Sequence, residues 1–585
     1  MLTRKRLSFF ACMFLLGSCI AQAPKAKPVT DDKDPVLAKL YAADGPYSRF
    51  NAANELVNLR TESSKHFKNG DSTSTTVLTA GPCHYKEGGV WKTSANTVAT
   101  TGSTQYPYAN THNLVKTFYG NLQQGIKFKW PAGTEASGFT PADIYAADEK
   151  GVKIAGLFQT QAAAPLANEN KVVYQQITPS VNYTIEQLTG QIQTTYTITN
   201  NIFQNAPANT EDVVFAEKIN LPAGCTVSKV KDERNDKQVI KILQGDKLLF
   251  TYSDVYYFDD STGKMKPVHE AAAFDYTMQG QVLQINIHVP YRWLTNPTTR
   301  YPVTIDPSIN VTPNNSTYWT GTNVNTGGAD NIIVAGFYDC SGCTDEDYHG
   351  YVKFNTSALP DYACVTATEL YMYQNAWVDG GGDNGCQFDV GWANVEPVSA
   401  AWTTIYNAVN GLAERYVRWD VWGTPGACGG CSGGYDYPES PAGWKGFNLS
   451  GNSAIRSRIK STTTQDYITI GLDMTYHASD CYWCWGDESN WLRWDGYSSA
   501  SRPYLAITYD NAAAATTWTG AINTDWFNNG NWTNCVPASN TDVTIPNTTN
   551  KPYIGSGNTG YCNTISIASD SGARLDLAGN LQITQ

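Results

Sequence analysis

The ten residues QIQTTYTITN, 191–200, set Ile192, Thr194, Tyr196 and Ile198 on one face of an extended chain and polar side chains on the other. Alternation with a period of two fits a half-buried β-strand and no helix, because successive side chains of a strand point to opposite faces. The pattern returns in KLLFTYSDVYYFDDSTGKMKPV, which reads as strands joined by a turn at Asp260-Ser261-Thr262-Gly263, and in QVLQINIHVPYRWL. Long helical periods are missing. The fold expected is all-β. Composition agrees, since Tyr (35), Trp (17) and Gly (49) are abundant while charged residues make up only 16%.

A chain of 585 residues exceeds one core, so three or four domains are expected. Residues 1–21 read as a signal peptide: Arg4, Lys5 and Arg6 precede an apolar run, Ser8 to Ile20, too short to span a bilayer. Cleavage near Ala21–Ala23 would release a secreted protein. Alternatively, LGSC would place a lipid anchor on Cys19 at the outer cell surface. Residues 22–48, rich in Ala, Pro, Lys and Asp, read as a mobile linker. An antiparallel β region follows over 49–310, with room for two subdomains. Residues 311–510 hold eleven of the seventeen Trp and eight of the fourteen Cys, and their short strands and Gly-rich connections suggest a sandwich. NAAAATT, 511–517, is a linker, and 518–585 ends in strand-like sequence. No later run is apolar enough for a transmembrane segment. Losing the leader takes the formal charge from −12 to −15, which excludes nucleic acid as the expected partner.

Three stretches resemble known exported proteins. YSRFNAANELVNLRTESSKHFKNGDSTSTTVLTAGPCHYKEGGVWKTSANTV is similar to the segment heading many bacterial surface proteins that carry a DNRLRE domain, and RWLTNPTTRYPVTIDPSI, 292–309, resembles the phrase closing that region. GYVKFNTSALPDYACVTATELYMY and SRPYLAITYD resemble the opening and closing strands of the DNRLRE domain itself. The resemblance implies a central jelly-roll sandwich similar to carbohydrate-binding modules, with polysaccharides, uronates included, among its ligands. The Cys-rich insertions depart from the family's common form. The Trp-Thr-Gly…Asn-Trp…Val-Pro…Asp-Val-Thr-Ile-Pro pattern after 517 resembles the start of a β-solenoid module common in exported Bacteroidetes proteins. A partial solenoid implies that the natural chain continues past Gln585.

Enzyme motifs fail on context. Gly430-Cys431-Ser432-Gly433-Gly434 fits G-x-S-x-G, but its flanks are loop rather than strand and helix. Gly555 to Gly560 fits G-x-G-x-x-G with no helix after it. The seven His show no spaced partners, and a carboxylate pair for glycoside hydrolysis cannot be seen in sequence. The chain is therefore expected to be no enzyme. Twelve Cys outside the leader make disulfides the default in an exported chain. Three C-x-x-C pairs, Cys340 and Cys343, Cys428 and Cys431, and Cys481 and Cys484, are assigned to disulfides, with zinc the alternative. Connectivity stays open, because Cys364 and Cys386 could join in. Cys535 and Cys562, the two Cys of the last module, are expected to pair. Asp339, Asp345, Glu346 and Asp347 in one loop, with Asp379 and Asp383 in another, make calcium the one cofactor worth naming; a solvated acidic loop has the same composition.

The segment CYWCWGDESNWLRWDGY, 481–497, is the candidate ligand face. Trp483 and Trp485 share one side of an extended chain, and Trp491 and Trp494 follow with Arg493 between them. Deep core does not accept that many charges. Stacking of a sugar ring on Trp483, Trp485, Trp491 or Trp494, with Asp487, Asn490 or Arg493 on hydroxyls, uses both halves of the composition; a disulfide-braced structural loop is the competing reading. Residues 311–510 hold nine Lys and Arg against 22 Asp and Glu, so a neutral glycan is expected over a polyanion. The expected function is non-catalytic binding of a glycan or other cell-surface ligand. A structural adhesin or spacer is the alternative, and a polysaccharide-degrading enzyme a third reading.

Overall fold

The period-two alternation is realised almost everywhere. In the computed structural model, residues 31–584 are described except 72, 233–236, 260–269, 311–318, 325–326, 339–344, 360–362, 380–385, 422–441, 451–458, 460–465, 478–488 and 511–514. The chain is all-β, with two short α-helices, Tyr291–Thr295 and Trp402–Asn410, among the described residues.

The first unit stacks two nine-stranded sheets. Strand Asp212–Asn220 lies between Val282–Pro290 and Glu135–Ala147 in one of them; Val181–Gln187, Gln191–Ile198, Val303–Asn310 and Lys247–Asp259 run side by side in the other. Phe128, Ile144, Phe215 and Ile287 of the first sheet meet Val172, Tyr183, Tyr196 and Ile305 of the second in a single core. The alternation along Gln191–Ile198 is what places Ile192, Tyr196 and Ile198 in that core.

One acid sits in the middle of it. Glu217 is fully buried, and its carboxyl accepts the hydroxyls of Tyr252 (2.7 Å), Tyr183 (2.9 Å), Thr194 (3.3 Å) and Tyr196 (3.4 Å). Burial pushes its pKa above the ordinary 4.5, and the four donors only partly oppose this. A raised carboxyl pKa makes the folded state favour the protonated acid. Its contribution to stability is thus full below about pH 4.5 and is lost as pH rises through the folded value. Glu217→Gln keeps an acceptor oxygen and removes the ionisation. The variant should lose this part of the pH dependence and melt above the wild type at pH 8. Thermal melts from pH 4 to 8 check this; parallel curves for the two proteins would contradict it.

The central unit does not begin at 311. Strands Ser64–Lys68 and Ser74–Thr79 join its sheet, the second pairing with Tyr504–Asp510. From there the order runs through Cys364–Asp379, Ser489–Trp494, Ile333–Tyr338, Glu346–Asn355, Tyr467–His477 and Cys386–Trp392 to Glu414–Val421. Its core includes Leu78, Val352, Phe354, Phe388, Val390, Ile470, Leu472, Leu492, Trp494 and Ile507.

Residues 31–48 are likewise no free linker. Asp31 and Tyr47 are buried, and Tyr47 packs with Phe67, Val77, Tyr371 and Tyr504. Its short 3₁₀ turns fold back because their Asp and Tyr side chains have buried partners, which a composition-based reading does not see.

The last module pairs its strands in parallel. Asp542–Ile545 lies between Ala515–Thr517 and Thr564–Ile567, Tyr553–Ile554 beside Asp576–Leu577, and Thr559–Cys562 beside Asn580–Ile583. Trp518 and Trp526 each meet Trp532 edge-on, at 5.0 and 4.8 Å. Cys562 is fully buried in this Trp cluster as a free thiol, so it does not pair with Cys535. Cys535 bonds instead to Cys364 at the start of a central strand, with Cα atoms 5.5 Å apart. The expected pairing fails because the Cys562 side chain points into the module's own core.

Candidate functional site on the central sandwich

Of the segment 481–497, the second half is structural. Ser489–Trp494 is an interior strand, paired with Ile333–Tyr338 on one side and Cys364–Asp379 on the other. Trp491 and Trp494 lie three residues apart and so face opposite ways, and both faces are covered. Trp494, 1% exposed, sits edge-on to Phe388 at 6.3 Å; Trp491, 3% exposed, packs with Val324, Val334 and Tyr348. Neither can stack on a sugar. The one charge between them, Arg493, is accommodated at a seam between two units.

Arg493 faces Asp306 of the first unit and Asp495 of its own. Burial pulls the guanidinium down, and the two carboxylates only partly offset it. Asp306 is pushed up to about 7 by burial, against the hydrogen bond from Gln193 and the charge of Arg493. Arg493 therefore serves the seam rather than ligand hydroxyls. Asn490 pairs through its backbone with Phe337. Trp483, Trp485 and Asp487 lie outside the described residues. So do the six Cys of the C-x-x-C pairs: Cys340 with Cys343, Cys428 with Cys431, and Cys481 with Cys484. The disulfide seen among the described residues, Cys364 to Cys535, joins a Cys from outside those pairs to one from the last module.

Arg502, which the sequence reading passed over, closes the same seam. It donates to the Pro82 carbonyl through Nη1, to Thr189 Oγ1 through Nη2 (2.5 Å) and to the Ser499 carbonyl through Nε (3.1 Å). Asn96 Nδ2 and the Thr189 amide both donate to the Ser498 carbonyl, at 3.1 and 2.8 Å.

The outward face of Glu346–Asn355, Tyr467–His477, Cys386–Trp392 and Glu414–Val421 carries the chemistry. The register sets Asn323 opposite His349, Asp473 opposite Asp389 and Asp389 opposite Arg418, a row running across the strands. Residues directly opposite on one face have side chains within reach of each other. His349 Nδ1 is 2.8 Å from Asp473 Oδ1. Asp389, 2% exposed, accepts from Arg418 Nε (2.9 Å) and Nη2 (3.1 Å), and Arg415 Nε is 2.6 Å from Oδ2. Asp473 has an imidazole beside it and Asp389 two guanidinium groups. The two Arg side chains remain 52% and 36% exposed.

Helix Trp402–Asn410 lies over part of this face. It seats there because Gly391 and Gly471, paired in register, carry no side chain; a Cβ on Gly471 would come within 2.7 Å of Leu412. Tyr406 from the helix meets the His349 ring edge-on at 4.5 Å. Farther along, Lys353 pairs with Glu396 at 2.7 Å and lies over the rings of Trp319 (5.5 Å) and Tyr467 (5.0 Å). The face thus combines fixed, planar hydrogen-bonding groups with half-buried aromatic rings. Its residues come from positions 319 to 473, and no local spacing links them, which is why the sequence hid them.

For the calcium reading, Asp345 and Asp347 are exposed, Asp339 lies outside the described residues, and Glu346 accepts the Tyr348 hydroxyl. Among the described residues no group of three or more His, Cys, Asp or Glu could hold a metal ion. No helix is long and apolar enough to cross a membrane among the described residues.

No curated protein matches this chain. Residues 517–585 match the model of a family described as a domain of unknown function, DUF8693, so the C-terminal parallel module is similar to that domain.

Proposed function

We propose that the protein is a non-catalytic, exported surface protein whose central sandwich binds a neutral glycan or other cell-surface polymer on its outward face. The observation that supports this reading most is the convergence of Arg415 and Arg418 on buried Asp389: two guanidinium groups held against one carboxylate on side chains that remain 52% and 36% exposed. Preorganised planar donors suit sugar hydroxyls, and Tyr406, Trp319 and Tyr467 supply rings of the kind on which a sugar's C–H face packs. The negative balance of residues 311–510 favours a neutral polymer. The parallel C-terminal pairing supports its reading as the start of a solenoid.

A glycan array followed by calorimetry on the hits tests this. Arg418→Ala leaves Asp389 paired with Arg415, so the fold should hold. Arg418→Ala and Tyr406→Ala should each weaken binding about tenfold, roughly 1.4 kcal/mol, with the melting temperature close to that of the wild type. An array without hits, or binding indifferent to Arg415, Arg418 and Tyr406, overturns the proposal. The second reading is a rigid spacer. It is favoured by the ties between units: Arg502 across the first seam and Cys364–Cys535 across the second.

A further inference from the structure

Four charged side chains are shut away from water where residues 31–60 fold onto strand Ser64–Lys68. Lys65 and Glu55 have side chains 0% exposed, Arg60 3% and Asp31 5%. Lys65 Nζ lies 3.0 Å from Asp31 Oδ2 and 3.3 Å from Glu55 Oε1. Arg60 grips Glu55 through Nε and Nη2, each at 2.7 Å, and its Nη2 also reaches Asp31 Oδ2 at 2.9 Å. Thr93 Oγ1 donates to that same Asp31 oxygen at 2.6 Å. The rings of Tyr47 and Tyr41 stand 5.4 and 5.8 Å from Nζ.

An amine, a carboxyl, a second carboxylate beside the amine and two donors on one carboxyl oxygen form a complete set for amide formation. We propose that Asp31 and Lys65 condense into an intramolecular isopeptide bond, with Glu55 carrying the protons and Arg60 and Thr93 stabilising the oxyanion. The Asp31 carboxyl is held in its ionised form: burial alone would push its pKa up, but the charges of Lys65 and Arg60 outweigh this and hold it below its ordinary value. Glu55 Oε1 first takes a proton from the Lys65 ammonium. The freed amine attacks Asp31 Cγ, forming the Nζ–Cγ bond, while charge gathers on Oδ2 between Arg60 Nη2 and the Thr93 hydroxyl. Two protons leave nitrogen in all, and Glu55 passes both in turn to Oδ1. The Cγ–Oδ1 bond breaks and Oδ1 departs as water. No outside reactant enters.

Two physical terms drive the step. Oriented groups held in contact reach effective molarities on the order of 10⁵ M or more. The product also removes one buried cation and one buried anion, whose desolvation is expensive, and leaves Arg60 and Glu55 as a balanced bidentate pair. The bond would pin the 31–60 strap covalently to the central sheet.

Intact-mass measurement of the full exported chain under denaturing conditions tests this. The wild type should weigh one water less than its sequence requires after allowance for disulfides, and digestion should yield the Asp31 peptide joined to the Lys65 peptide. Lys65→Arg should restore the full mass, and Glu55→Gln should do so while still folding. Asp31→Asn should lose ammonia in place of water and give the same joined peptides, so that variant decides the case even where Glu55→Gln does not fold. A wild-type chain at full mass, or a water loss that persists in Lys65→Arg, overturns the proposal.

Discussion

Trp494→Ala should lower stability by about 3–5 kcal/mol, the usual cost of truncating a buried Trp, and leave binding of any glycan unchanged at temperatures where the protein is folded. Trp494 is 1% exposed between Phe388 and the aliphatic side chains of the central core. The cavity would open in the middle of a sheet whose neighbouring strands on both sides are already paired, so little collapse can fill it. Trp494→Phe should cost far less. It keeps most of the ring, and the indole N–H it removes is buried with no hydrogen-bond partner among the described residues. Chemical unfolding of the three proteins separates the cases. An Ala variant with wild-type stability and lost glycan affinity would put the Trp back on a ligand face.

The mistaken placement of Trp491 and Trp494 shows what a sequence does and does not display. Period two was legible because it is local: Ile192, Tyr196 and Ile198 had to share a face, and they share the core. The charges around the Trp residues looked incompatible with burial because their partners are remote. Arg493 has the charge of Asp306, far away in the chain, to offset part of its burial, and Arg502 is satisfied by Pro82 and Thr189. The linker reading of 31–48 failed in the same way, since the partners of Asp31 are Arg60, Lys65 and Thr93. The row from Asn323 to Arg418 exists only once five strands are in register. Composition reported that the chain is rich in aromatic and acidic side chains; register alone decided which of them meet.

Breaking the Cys364–Cys535 bond should release the C-terminal module while the central sandwich stays folded. The two Cys are 171 residues apart in sequence, and the loop-entropy relation gives about 5 kcal/mol for a loop of that length, somewhat above the typical 2–4 kcal/mol for a bridge. The module depends on this tie because its own core is small: three Trp, Val543, Ile545, Ile554 and Cys562, with Ile567, Leu577 and Ile583 left exposed. A unit of that size rarely holds itself together without a staple. Cys535→Ser should therefore make residues after 514 the first to be cut in limited proteolysis and give them a separate, lower melting transition. Cys364 is the first residue of its strand, opposite Asp510 at the end of the ladder, so loss of the bond should barely move the central transition. If the variant instead melts as one unit with wild-type protease resistance, the Trp core alone holds the module, and the disulfide does no more than fix where it docks.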